Sequence, residues 1–118
     1  MARQKDCLAW AVETFGEVAT SNVERTRRFL EEAIELAQAM GLPPGDVERI
    51  AARVFSRGPG YVPREIGQCL LTLEALAENL AISADLMASV EFDRVQRIPR
   101  SEWGRRHSAK VALGIADE

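Results

Sequence analysis

Apolar residues recur at spacings of three and four along most of the chain, and no segment alternates polar and apolar positions over a strand's length, so the pattern predicts an all-α protein. Leu8, Ala11, Val12 and Phe15 mark a first helix over roughly 3–15, and Gly16 supplies a left-handed stop. In TSNVERTRRFLEEAIELAQAMG, the residues Phe29, Leu30, Ala33, Ile34, Ala37 and Met40 form one apolar face. Ser21 followed by Glu24 has the form of a capping box, and Gly41 closes this second helix. LPPGD breaks the pattern, Asp46 is expected to cap a third helix ending near Ser56, and RGPGYVP is a stiff connection. Pro63 suits the first turn of a fourth helix whose core face is Ile66, Cys69, Leu73, Leu76 and Leu80. Ser83 or Asp85 starts a fifth, which runs to about Ile98. The architecture expected is a bundle of four to five helices over 1–98, followed by a basic arm or short appended helix over 99–118.

Composition narrows the functional classes. With 118 residues, 47% of them hydrophobic, the chain has the size and apolar content of one globular domain. A net charge of −3 argues against a surface built to neutralise phosphates throughout, so nucleic acid is not the expected partner. Cys7 and Cys69 lie far apart among apolar neighbours and read as buried free thiols, which suits a reducing cytoplasm. The N-terminal segment alternates charged with apolar residues and does not read as a signal peptide, and no run is long enough to cross a membrane.

The chemistry to weigh begins at FLEEAIELAQ. Glu31, Glu32 and Glu35 fall opposite the apolar face of the second helix, which suits a solvated surface with Arg27 and Arg28 as ion-pair partners. The same spacing lets three carboxylates lean toward one point, and hard cations take oxygen ligands. Such an acidic trio needs partners from another helix. The fourth helix carries Glu65, Gln68, Thr72 and Asn79 in a stripe beside its core face, separate from a solvated stripe holding Glu74 and Glu78. Helix-dipole stabilisation explains Glu65 equally well, and back-bonding to the helix explains Thr72.

Taken together, these residues resemble the MazG-like all-α nucleotide pyrophosphohydrolases, in particular the short phage and prophage type. The EExxE motif of that family matches Glu31-Glu32-Ala33-Ile34-Glu35, and its ExxD motif aligns with Glu65-Ile66-Gly67-Gln68. The phrases AWAVETFG, RFLEEAIELAQAMG and EIGQCLLTLEALAENLAIS extend the likeness over about residues 8–98. The resemblance implies a nucleoside triphosphate split into monophosphate and pyrophosphate, with magnesium, or manganese in its place, on Glu31, Glu32, Glu35, Glu65 and Gln68. Glu32 or Glu35 would activate water. The departure is Gln68, an amide where the family has aspartate. It ligates without bringing negative charge, which puts catalysis in doubt more than the fold.

Other residues enter more weakly. Trp10 is a candidate to stack on a base, with packing as the alternative, and Trp103 is expected to anchor the tail. Arg94 and Arg97 begin a basic segment that continues through Arg100, Arg105, Arg106 and Lys110, suited to triphosphate oxygens or to a solvated terminus. His107 reads as a surface residue. Rival functions are a catalytically inactive helical module that oligomerises or binds nucleotides, and a helix-turn-helix DNA binder centred on Ile82-Ser83. Asp85, Glu91 and Asp93 on the would-be recognition helix argue against the latter. One small bundle leaves a metal site open, so a homo-oligomer, dimer or tetramer, is expected to complete it.

Overall fold

The computed structural model describes residues 2–118, which are all-α, with six helices and one short 3₁₀ turn. The helices are α1 (Ala2–Phe15), α2 (Asn22–Ala39), α3 (Pro44–Phe55), α4 (Val62–Asn79), α5 (Ala84–Arg97) and α6 (Arg100–Ala112). Of the two alternatives expected after Pro99, an arm or a short appended helix, the helix forms, despite its weak periodicity. Pro99 occupies its N-cap position. No described helix is long and apolar enough to cross a membrane. The chain divides into two compact units, Met1–Leu36 with Glu91–Glu118, and Ala37–Val90.

In the first unit, α1 ends where Gly16 adopts a φ of 80°. The chain then tightens into the 3₁₀ turn Gly16–Thr20 before Ser21 opens α2. Only half of the expected capping box forms. The Ser21 hydroxyl accepts from the Glu24 N–H at 3.3 Å, but the Ser21 N–H donates to the Val18 carbonyl at 3.1 Å, and the Glu24 side chain turns away into the interior. Packing of α1 against α6 is fixed by aromatic edges: Trp10 and Trp103 lie 5.4 Å apart, and Phe15 stands 6.0 Å and 6.1 Å from them. Such edge-to-face contacts add specificity to burial. Trp103 also donates to the Val95 carbonyl at 3.2 Å, so it anchors the C-terminal region as expected. Arg100 holds the start of α6 to Glu13 on α1. Beyond α6, Arg28 donates to the Ile115 carbonyl, Arg27 pairs with Asp117, and Ala116 is buried.

The second unit is built differently. Its α3 begins at Pro44 with Pro43 in the cap position, so Asp46 is not the cap; it sits in the first turn and pairs with Arg49. Pro63 lies in the first turn of α4 as expected, and Ser83 caps α5 by accepting from the Leu86 N–H at 3.1 Å. The turns after α2 and α4 share one hydrogen-bond pattern. Leu42 N–H reaches the Ala37 carbonyl at 3.0 Å around Gly41, and Ile82 N–H reaches the Ala77 carbonyl at 2.9 Å around Ala81. Both central residues are left-handed, with φ 85° for Gly41 and 57° for Ala81. Neither α3 nor α4 contains a buried residue. Ile66, Cys69, Leu73 and Leu80, expected as a core face, are exposed, and Leu76 is only half-buried. Cys7 and Cys69 are free but exposed, not buried, because their helices leave those faces uncovered.

Candidate active site

The exposed side of α2 in the first unit gathers charge at one place. Glu31, Glu32 and Glu35 each offer a carboxylate oxygen, and these atoms lie within 4.8 Å of one another. Their separation by three and four residues on a regular helix brings them together. Glu32 is raised above its ordinary carboxylate value, first by desolvation, then by the negative charges of Glu35 and Glu31 and by a hydrogen bond with Glu35, with Lys110 opposing. Glu31 is already engaged: Arg28 lies 3.3 Å and Lys110 2.9 Å from its Oε1.

These acids border an open depression of about 810 Å³, large enough for a nucleotide-sized ligand. Arg94, Arg105, Arg106 and Lys110 share its wall, so carboxylates and cations face the same space. Most of the cations have local partners. Arg94 pairs with Glu91, whose carboxyl is lowered by that bond. Arg105 and Arg106 hold the Glu102 carboxyl down to about 2. Arg106 also stacks over the Trp103 ring at 5.0 Å. Arg97 is exposed near the end of α5 and lines none of these walls.

A deeper cavity of about 210 Å³ adjoins the depression, and Glu31, Glu32, Trp103, Arg106 and Lys110 line both. Trp10 and Phe15 wall the deeper part, with Glu24, Arg25 and Arg28 beside them. His107 also faces this cavity. Its ring lies 5.6 Å from Phe15, and its Nε2–H donates to the Asp117 carbonyl at 2.8 Å, so it is half-buried and not a plain surface residue.

The structure therefore brings Glu31, Glu32, Glu35 and Arg94 to one depression and Trp10 to its inner extension, and leaves Arg97 outside. Glu65 and Gln68 belong to α4 in the other unit. The Glu65 carboxylate folds back over Gly60, where any side chain would collide with it. Gln68 is exposed, and its backbone carbonyl accepts from the Thr72 hydroxyl at 2.8 Å, the back-bond expected of that threonine. Glu24 and His107 line the inner cavity although the sequence pattern nominates neither for it. Glu24 matches a cap, which masks any other role, though its pairing with Arg28 four residues on was a signal of a second partner.

No protein-family model matches the chain, and no solved structure matches it significantly. Over 86 residues it is 33% identical to a Rattus norvegicus protein described as tRNA-dihydrouridine(47) synthase [NAD(P)(+)]-like. That alignment takes in 73% of this chain and 13% of the length of the rat protein.

Proposed function

We propose that the protein is a magnesium-dependent nucleoside triphosphate pyrophosphohydrolase that cleaves the α–β phosphoanhydride. The observation that carries the reading is the convergence of Glu31, Glu32 and Glu35 within 4.8 Å on the wall of a depression that also presents Arg106 and Lys110. Triphosphate hydrolysis needs charge neutralisation and positioning above all, and this wall offers both signs of charge in reach of one ligand. The donor set fits a hard cation, being all oxygen and anionic, and a divalent charge would offset the mutual repulsion of the three carboxylates. Magnesium bound there would neutralise phosphate oxygens; manganese takes similar ligands.

Water attacks one phosphorus of the α–β phosphoanhydride: its oxygen bonds that phosphorus, the bridging P–O bond breaks with its electron pair leaving on the departing phosphate, and one water proton passes to a glutamate. Glu32 or Glu35, both on the wall of the depression, takes that proton as the general base. Lys110 and Arg106 orient the phosphates, and Lys110 must release Glu31 to do so. Glu65 and Gln68 enter this reading through the sequence motif alone.

The reading includes a homo-oligomer. Exposed apolar residues on α3 and α4, such as Ile50, Ile66 and Leu70, supply surface for it. Two observations favour the alternative of an inactive helical module: Gln68 withholds a charge, and the ion pairs on Glu31 suit a purely structural helix.

Pyrophosphate release from a panel of ribo- and deoxyribonucleoside triphosphates with magnesium separates the two. Activity that falls at least a hundredfold in Glu35→Gln and survives or rises in Gln68→Asp supports the hydrolase, on the scale of about 10²-fold for a lost catalytic group. No release from any nucleotide by the wild type or by Gln68→Asp leaves the structural module.

A further inference from the structure

The acids of α2 already hold a cation, and it belongs to the chain itself. Lys110 Nζ lies 2.9 Å from Glu31 Oε1, with both side chains half-buried. Arg28 reaches the same oxygen at 3.3 Å, while its Nε stands 3.1 Å from buried Glu24. A divalent ion drawn to Glu31, Glu32 and Glu35 therefore has to take Glu31 from partners it already has.

The same two residues carry the segment that follows α6. The Lys110 carbonyl accepts from the N–H groups of Leu113 and Ile115 at 3.2 Å and 3.0 Å, around Gly114 with its φ of 75°. Arg28 donates to the Ile115 carbonyl, Ala116 is buried just beyond, and Asp117 pairs with Arg27. Leu113 and Ile115 line the depression that the acids border. The engagement of Glu31 and the seating of residues 113–117 thus rest on the same side chains.

We propose that Lys110 is an autoinhibitory counter-ion, which keeps the acid cluster closed to hard cations until a divalent ion displaces it, and whose release loosens the strap formed by residues 113–117. The sign follows from competition. An ammonium that stabilises Glu31 only while the site is empty weakens the binding of whatever replaces it, and its charge repels an incoming cation as well. Coupling between two sites is reciprocal, so an ion that binds better without Lys110 in place also weakens the seating of Lys110 and its strap when bound. The inference concerns the regulation of the proposed hydrolase site and rests on that reading for the role of the metal. The ammonium that the metal sets free is then at hand for phosphate oxygens.

The test compares the Mn²⁺ affinity of the wild type with that of Lys110→Met, Lys110→Arg and Arg97→Gln, using the electron paramagnetic resonance signal of the free ion. Lys110→Met keeps an unbranched stem without its charge, and should bind Mn²⁺ about tenfold more tightly than the wild type. Lys110→Arg, which keeps the cation, should stay within about threefold of the wild type, as should Arg97→Gln, which removes a charge outside the depression. Amide hydrogen exchange over residues 113–117 of the wild type should quicken severalfold at saturating Mn²⁺. Equal or weaker binding by Lys110→Met overturns the lock, as does a gain of the same size in Arg97→Gln, or strap exchange that Mn²⁺ leaves unchanged. Should Lys110→Met fail to fold by circular dichroism, the exchange of the wild type decides alone. Tighter Mn²⁺ binding by Lys110→Met without pyrophosphate release from any nucleotide would discard the hydrolase and keep the lock, and release with equal Mn²⁺ affinities would do the reverse.

Discussion

The two units treat their apolar residues in opposite ways. In the first, Trp10, Phe15 and Trp103 close on one another, small residues such as Ala11 and Ala19 allow close approach, and the acids left outside line a depression. In the second, α3 and α4 are amphipathic, yet neither contains a buried residue. Amphipathicity thus names a face that needs covering without saying what covers it. A chain of this size closes a small core around its aromatic rings, and under our proposal leaves the remaining faces to a second copy.

The largest expected effect breaks the first unit. Trp103→Ala removes the ring that holds α6 to α1, and should destabilise the protein by about 3 kcal/mol in urea denaturation. A loss under 1 kcal/mol would mean that the aromatic contacts do not hold the unit together. Leu73→Glu probes the second unit, where the side chain is 42% exposed. It should weaken self-association by about 2 kcal/mol, roughly thirtyfold in the dissociation constant, as read from light-scattering mass against concentration. An unchanged mass profile would mean that this face of α4 meets no second copy.

Helix ends allow a finer comparison. Ala81 holds the left-handed position that Gly114 holds after α6, within the same hydrogen-bond pattern. Ala81→Gly should stabilise and Gly114→Ala destabilise by about 1 kcal/mol each, since nothing crowds Gly114 and only the backbone is at issue. Equal and opposite shifts in melting temperature would show that the two ends are interchangeable.

The smallest effect concerns charge. Like charges one helical turn apart destabilise by roughly 0.2–0.5 kcal/mol per pair, so Glu32→Gln should stabilise the apo protein by about that much at pH 7. The sign follows from the raised pKa: the fold disfavours ionised Glu32, so the wild type regains this stability as pH falls through that value toward the ordinary 4.5. Glu102 runs the other way. Its contribution is present above the ordinary value and is lost as pH falls toward about 2. Denaturation midpoints of Glu32→Gln and Glu102→Gln across pH 2–7 should therefore diverge from the wild type in opposite directions.

Periodicity, caps and breakers were enough to read the helices from Leu8 to Arg97, because each rests on local residues such as Gly16, Pro63 and Ser83. The convergence of Glu31, Glu32 and Glu35 was legible for the same reason, since spacing on one helix determines it. What escaped was long-range. The Lys110 to Glu31 pair, the tuck of His107 against Phe15 and the diversion of Glu24 from its capping role all depend on where α6 packs, and no spacing encodes that. The segment after Pro99 reads equally as an arm or as a helix, because its apolar positions are few. Trp103 is the residue that docks it.

Titration of the protein with Mn²⁺, followed by the loss of the free-ion electron paramagnetic resonance signal, tests most directly whether the acids of the first unit hold a hard cation. Saturable binding by the wild type is expected, weakened at least tenfold by Glu32→Gln and by Glu35→Gln and unchanged in Glu74→Gln, on the solvated stripe of α4. Absence of binding, or binding that survives the combined Glu32→Gln and Glu35→Gln substitutions, would contradict it and return FLEEAIELAQ to the solvated face of a helix.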